Sequence, residues 1–304
     1  MPIYDNNELD VSVVLNLYKR PQALKEQLRA IANQSLKPKE ILLYQDGVFD
    51  GIEIPKEIEK EFDGIEISKE NKGVWERFRF AQRRANSELI CVFDDDTIPG
   101  RDFLANCFSH MQKQEGLYGT TGVVIQKPEN YPYNDFFTLG YRNPNKWCAE
   151  VDFVGHSWFF KKQWLEAFFA HTQNLQQYKT AGEDMGFSLA LQKIGVKTFV
   201  PAQPYGKFHL WGELPESSQK ISTNEVALHL DSQNQKCFND AMKECLELGF
   251  KILKNSNKDA YKNARKLYIK AQFRKEGTGY IFKSIERTIR HKIKRFFGIK
   301  KYQK

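Results

Sequence analysis

The chain has 304 residues, 41% hydrophobic and 13% aromatic, enough for one large α/β domain with an appendage or for two modest domains. No stretch approaches the roughly eighteen uninterrupted apolar residues of a spanning helix, and MPIYDNNELD lacks the basic and apolar regions of a signal peptide, so a cytoplasmic protein is expected. The formal charge of +8 is concentrated, because from Lys283 onward nine basic residues face Glu286 alone; the rest is nearly neutral, which argues against a globally nucleic-acid-binding surface.

VSVVLNLYKRP (Val11–Pro21) reads as a β-branched strand running into a turn, and QALKEQLRAIANQSL carries Leu24, Leu28 and Ile31 at helical spacing. A second strand, Ile41–Tyr44, is stopped by Asp46 and Gly47. The chain therefore opens as a βαβ unit, for which a parallel sheet is the economical expectation. Residues 48–65 are acidic and irregular. ISKENKG predicts a short strand or turn, WERFRFAQRRANS a helix, ELICVF a buried strand and Asp102–Gln114 a further helix. GTTGVVIQ follows, then a Tyr/Pro/Asn-rich excursion from Pro128 to Lys146, one aromatic strand VDFVGHSWFF and a helix from Lys162. GEDMGFSLALQKIG has Met185, Leu189 and Ile194 near helical spacing with Gly195 as its C-cap, and KTFVPAQ is the last strand. From Pro215 the composition turns polar and helical. The five cysteines, Cys91, Cys107, Cys148, Cys237 and Cys245, are odd in number and form no CxxC pair, so reduced thiols are expected.

The strand ELICVF ends directly in Asp94, Asp95 and Asp96. Three carboxylates so close raise one another's pKa and destabilise the site unless a cation neutralises them. Hard oxygen donors of this kind suit Mg²⁺ or Mn²⁺, which also take up phosphate oxygens. The competing reading is a solvated acidic turn.

Four stretches in chain order decide between the two. They are VVLNLYKRP with Asn16 and Tyr18, Gln45-Asp46-Gly47, Asn71-Lys72-Gly73, and the acid cluster itself. Together they resemble the family-2 glycosyltransferases of the GT-A fold, over roughly residues 9–210. The resemblance implies an α/β, Rossmann-like, mostly parallel sheet flanked by helices. Its domains would be a catalytic unit over 1–214, a helical extension over 215–275 and a basic tail over 276–304. It implies that Asn16, Tyr18, Asp46, Asn71 and Gly73 line the nucleotide, with Asp94 and Asp96 as the acids of a DxD motif. Where the family has Ala-Arg-Asn, this chain reads Arg77-Phe78-Arg79, so the diphosphate arginine is displaced by one place in either direction; Arg77 is the first choice.

Transfer from a sugar nucleotide needs a cation, carboxylates to hold it and donors for the departing diphosphate. Asp96 is expected as metal ligand and Asp94 as partner of the ribose or of a metal-bound water, while Asp95 is structural or directed at the donor sugar. By the same resemblance His209 in YGKFHLWGE is a candidate third ligand, which makes the metal set Asp96, Asp94 and His209 with Mn²⁺ or Mg²⁺; a histidine hydrogen-bonded within its loop is the other reading. Glu183-Asp184 looks like the family's Glu-Asp motif, with Asp184 as catalytic base, Glu183 orienting the acceptor, and the helix N-terminus lowering the carboxylate pKa. A plain N-cap is the other reading of that pair. His156 is expected to shape the sugar pocket or to be a satisfied core histidine. Trp158 and Trp211 either stack on sugar faces or lie in the core.

GYIFKSIERTIRHKIKRFFGIKK spaces Ile281, Ile285, Ile289, Ile293 and Phe296 every three or four residues, with cations largely elsewhere on the wheel. This pattern suits an anionic membrane surface, contacted through residues 281–304, as well as packing on the protein. The expected partners are a nucleotide-sugar donor, UDP-sugar by Asp46, and a glycan or lipid-linked acceptor in bacterial surface polysaccharide or lipooligosaccharide synthesis. A retaining, exostosin-like transferase, a non-catalytic sugar-binding module and a nucleotidyltransferase are the alternatives.

Overall fold

In a computed structural model of the chain, residues 8–216 and 232–277 are described. Strand β1 (Glu8–Leu17) pairs in parallel with β2 (Lys37–Gln45) on one side and with β4 (Leu89–Phe93) on the other, and β3 (Gly64–Ile67) extends β2 in parallel. Helix α1 (Pro21–Ala32) makes the first crossover. Pro21 supplies a preset φ at its first turn, and Leu24, Leu28 and Ile31 bury the expected face. A one-turn helix, α2 (Lys56–Glu59), lies within the acidic stretch before β3. Helix α3 (Glu76–Arg84) leads into β4, whose five residues are all buried; a continuous apolar run is what a strand covered on both faces requires.

Helix α4 (Phe103–Lys113) follows, with Asp102 and Gln114 at its caps. The sheet then continues with β5 (Gly116–Tyr118), and the chain leaves it for β6 (Thr121–Ile125) and β7 (Phe136–Gly140). After β8 (Ala149–Glu150) come β9 (Phe153–Gly155), β10 (Ser157–Lys161), α5 (Trp164–His171), α6 (Glu183–Lys193) and β11 (Lys197–Val200). The eight-stranded sheet has the order β3-β2-β1-β4-β10-β5-β11-β8, mainly parallel, with β10 and β8 reversed. A small antiparallel sheet, β7-β6-β9, stands beside it.

Two sequence expectations change here. VDFVGHSWFF is not one strand but two in different sheets, broken where His156 adopts φ 67°. The Pro128–Lys146 excursion contains β7, whose Phe137 and Leu139 are buried; the surrounding Tyr, Pro and Asn masked a five-residue strand.

An aromatic core fixes the helices relative to β4. Phe78 of α3 packs edge-on against Trp158 of β10 at 5.4 Å, Phe168 of α5 at 5.4 Å and Phe187 of α6 at 5.7 Å, and Phe168 stacks on Phe187 at 4.4 Å. Each such pair contributes about 0.5–1.5 kcal/mol beyond burial, so α3 and α6 are held firmly around the end of β4. The chain after residue 231 joins the same core. Helix α7 (Ser232–Glu247) buries Ala241, Met242 and Cys245; a short turn, α8 (Leu253–Ser256), buries Leu253; and Tyr268 of α9 (Lys258–Glu276) stacks on Phe137 at 4.9 Å. All five cysteines are free thiols. Among the described residues no helix is long and apolar enough to cross a membrane, and the amphipathic pattern over 281–304 lies outside them.

Candidate active site

The three acids follow the C-terminal end of β4 directly, beside the end of β1. Asp94 N–H donates to the His156 carbonyl at 3.0 Å, so antiparallel β10 brings His156 against the acids. Arg77, in the first turn of α3, reaches them from the other side. Its Nη1 donates to Asp94 Oδ1 and its Nη2 to Glu183 Oε1 at 2.8 Å, while its guanidinium lies 4.4 Å from the Trp158 ring. Only 11% of the Arg77 side chain is exposed. Of the two candidate arginines it is Arg77 that meets the acids, while Arg79 turns to Gln176, Glu76 and the Phe169 ring. Trp158 is buried as the platform for Arg77, and Trp211 is buried with Nε1 donating to the Pro204 carbonyl at 2.8 Å, so both belong to the core.

Sequence reasoning missed a second arginine. Arg20 Nη1 donates to Asp95 Oδ1 at 2.5 Å and stands 3.4 Å from Asp96 Oδ2. Its signal was its place at the end of the first strand, immediately before the helix-initiating Pro21. Burial, outweighing Arg20, raises the Asp95 carboxyl, and its Oδ2 is buried without a hydrogen-bond partner. Burial with the charges of Asp94 and Asp95 pushes Asp96 up to about 6. Asp94, Asp95, Asp96 and Glu183 share two arginines, Arg20 and Arg77, so acids outnumber the guanidinium groups held against them. That surplus, in hard oxygen donors, fits Mn²⁺ or Mg²⁺, which bind through one or two carboxylates and complete their shell with water and phosphate oxygens. Among the described residues no group of three or more His, Cys, Asp or Glu is arranged to hold a metal unaided. His209 is not brought to the acids: its exposed imidazole faces Asp102, Nε2 to Oδ2 4.0 Å.

The residues that the resemblance assigned to the nucleotide form a separate cluster, Asn16 apart. Asp46 accepts from the backbone N–H of Lys72 at 2.8 Å and of Gly73 at 3.0 Å, and from the Tyr44 hydroxyl at 3.2 Å; burial raises its pKa. Asn71 Nδ2 donates to the Tyr18 hydroxyl at 3.1 Å, and Tyr18 packs edge-on against Phe49 at 5.3 Å. Tyr18, Asp46, Asn71 and Gly73 thus meet in one place. Asn16 does not join them, because its amide donates to the Phe93 carbonyl at 2.6 Å and ties β1 to the acid-bearing end of β4. Gln45 donates to the Gly47 carbonyl at 3.0 Å and closes the turn after β2.

Glu183 and Asp184 open α6. The N-cap is Gly182 at φ 94°, a conformation only glycine adopts readily, and the Glu183 carboxylate accepts from its own backbone N–H at the first position of the helix. The expected lowering of the pKa is overturned. Burial and the charge of Glu183 raise Asp184 well above the ordinary range, against the pull of Arg77 and His156. Burial likewise raises Glu183. Asp184 Oδ1 is buried and unpartnered, leaving a lone pair for a group that enters from outside. His156 Nδ1 lies 2.8 Å from Glu213 Oε2, a buried acid that sequence reasoning also missed and that sits four residues after His209. Burial opposes protonation of His156, but Glu213 and the nearby Asp96 raise it to about 9.

The model of Glycosyl transferase family 2 matches residues 12–169, just over half of the 304. No curated protein matches. Among solved structures, S. aureus TarS is similar at 14% identity and TM-score 0.46, covering 78% of this chain; the chain spans 42% of the length of TarS. A mannosyltransferase of Pyrobaculum calidifontis, PcManGT, in complex with GDP-Man and Mn²⁺, is similar at 18% identity and TM-score 0.43, covering 96% of this chain and 88% of that one.

Proposed function

The chain belongs to glycosyl transferase family 2 and is a glycosyltransferase; from that premise we propose that it moves a sugar from a UDP-sugar to a hydroxyl of a glycan or lipid-linked acceptor, with inversion and with Asp184 as base. One observation carries the reading. Arg77 binds an acid of the strand-end cluster and an acid of the α6 N-terminus at once, which supports a single site containing both donor and acceptor machinery.

Tyr18, Asp46, Asn71 and Gly73 line the nucleoside. Asp96 and the free oxygen of Asp94 would hold Mn²⁺ or Mg²⁺, which supplies charge neutralisation for the departing diphosphate. Arg77 and Arg20 flank the same carboxylates and place fixed positive charge at the pole where leaving-group charge develops, with no reorganisation during reaction. Asp184 accepts the acceptor hydroxyl's proton on its unpartnered Oδ1 as the hydroxyl oxygen bonds to the anomeric carbon and the nucleoside diphosphate departs with the bonding pair. The raised pKa strengthens it as a base, and Glu183, held by Arg77, keeps the adjoining turn in place.

The test is nucleotide release from a panel of sugar nucleotides with Mn²⁺, Mg²⁺ or EDTA, on wild type and Asp96→Ala. Metal-dependent UDP release abolished in the variant is expected, and product NMR then reports the anomeric configuration. Absence of nucleotide-sugar binding by calorimetry across the panel would sink the proposal. Retention in the product would remove Asp184 from its role.

A further inference from the structure

Helix α9 packs one side on the core through Ala264, Tyr268 and Ala271, and by the helical period its opposite side carries Lys262, Arg265, Lys266, Ile269, Lys270 and Phe273. The first five of these line a shallow, open depression, and Phe273 beside it is 41% exposed. From Ala260 to Lys275 the sequence has six cations and no acid. Lys262 is met by Asp259 at the helix start, Nζ to Oδ1 3.2 Å, and Lys275 donates to Asn143 Oδ1 at 3.1 Å. Among the described residues Arg265, Lys266 and Lys270 meet no acid. Arg274 lies over the Tyr205 ring at 5.0 Å, and Tyr205 is 61% exposed, so an aromatic ring borders the end of this basic face.

We propose that the outward face of α9, with Tyr205 at its rim, docks on an anionic lipid surface. Ile269 and Phe273, four residues apart, stand among the cations; lysine stems lie along such apolar side chains and carry their ammonium groups to the level of lipid phosphates, where a tyrosine ring also fits. A nucleic-acid backbone needs the cations but gains nothing from an isoleucine in their midst. A second copy of this chain is disfavoured, because it carries a charge of +8 and presents the same cations. The residues beyond Gly277 bring no counter-charge either, since from Lys283 onward nine cations accompany Glu286 alone and add to the same demand for an anionic partner. The face also ends beside the acceptor side of the site. Asn143, which holds Lys275, exchanges backbone hydrogen bonds with Gly140 at 3.1 and 3.0 Å, and the ring of Tyr141 in that turn is 6.3 Å from that of His156. Docking requires no transfer chemistry; with the reading above, it sets a lipid-linked acceptor at the mouth of the site.

The test is co-sedimentation of the full chain with vesicles of phosphatidylglycerol mixed equally with phosphatidylcholine, and with phosphatidylcholine alone. Binding to the mixed vesicles is expected to be about tenfold or more tighter and to weaken with added salt. Lys266→Gln/Lys270→Gln should lose about fivefold for each charge removed, and Ile269→Ser/Phe273→Ser about tenfold with every charge kept. Lys113→Gln/Lys193→Gln, which removes two exposed cations at the ends of α4 and α6, should bind as wild type does. Residues 278–304 are unaltered in every sample, so the differences report on α9, and melting temperatures equal to wild type verify that the variants are folded. Equal binding to the two kinds of vesicle, or equal losses in the α9 and control variants, overturns the proposal. Tighter binding of a single-stranded RNA oligonucleotide than of mixed vesicles, insensitive to Ile269→Ser/Phe273→Ser, overturns it in favour of a nucleic-acid face. Vesicle binding is read without a donor, so a wild type that sediments with lipid but releases no nucleotide refutes the transfer reading alone.

Discussion

Arg77 donates from Nη2 to Glu183 Oε1 at 2.8 Å while its Nη1 holds Asp94, so one buried guanidinium joins the end of β4 to the start of α6. Removing it leaves two acids facing each other without a counter-ion. Breaking a buried pair from one side costs about 3–5 kcal/mol, and loss of a fixed donor at a developing charge costs about 10²–10³ in turnover. Arg77→Ala should show both losses, in denaturant unfolding and in nucleotide release. Arg77→Lys keeps the charge but cannot reach both carboxylates in a fork, so it should fall between. Wild-type turnover in Arg77→Ala would remove the residue from the site.

A Cβ added to Gly73 would stand 2.3 Å from the Lys179 carbonyl oxygen, and the backbone there has φ 90°. The contact belongs to a seam: Val74 N–H donates to the same carbonyl at 2.9 Å and Trp75 Nε1 to the Tyr178 carbonyl at 2.9 Å. The loop carrying Asn71 and Gly73 is thus stitched to the segment that precedes Gly182 and the α6 acids. Gly73→Ala must push the two apart, at a cost of about 1–3 kcal/mol. The expected result is a raised donor KM together with a lowered kcat. A change in KM alone would mean that the seam does not couple the two halves.

How far the sequence anticipated this arrangement depended on the range of the signal. The β1–α1–β2 opening and β4 were legible because apolar periodicity and turn residues are local, and Asp94–Asp96 stood out as a charged end to an apolar run. The β9–β10 break was not legible, since His156 at positive φ carries no mark in an aromatic run. Arg20 and Glu213 escaped for a different reason. Each acquires its meaning only from a partner distant in the chain, Arg20 from Asp95 and Glu213 from His156, and one-dimensional spacing does not encode that proximity. His209 was drawn to the acids by resemblance, whereas the fold sets it against Asp102.

The His156–Glu213 contact predicts a pH dependence of stability. The folded pKa of His156 is raised to about 9, above its usual 6.5, so its contribution is fully present below about pH 6.5 and is lost as pH rises through 9. The imidazole keeps 36% of its side-chain surface exposed, so solvent screening reduces the size of the effect. Melting temperature should therefore decline more steeply between pH 6.5 and 9 in wild type than in Glu213→Gln, where the raising charge is gone. Parallel profiles for the two proteins would show that the pair carries no linkage.

Asp184 is expected to display the same direction of stability change with pH, over a lower range set by its unfolded pKa, and a defined limb in rate. Around it stand Glu183 and Asp94, which raise its pKa together with burial, and Arg77 and His156, which lower it; Tyr131 also lies close enough to feel its charge. A base must be ionised, so turnover should fall with decreasing pH through a midpoint above the ordinary carboxylate range. Because the folded state holds this proton more tightly than the unfolded chain, stability from this group declines as pH rises from the unfolded pKa to the folded one. Asp184→Asn removes both dependences. It should lower turnover by about 10²–10⁴ while donor affinity is kept, and at neutral pH the variant should melt at a higher temperature than wild type, since the repulsion with Glu183 is gone. A variant that lost turnover and stability together would mark Asp184 as a structural acid, not the base.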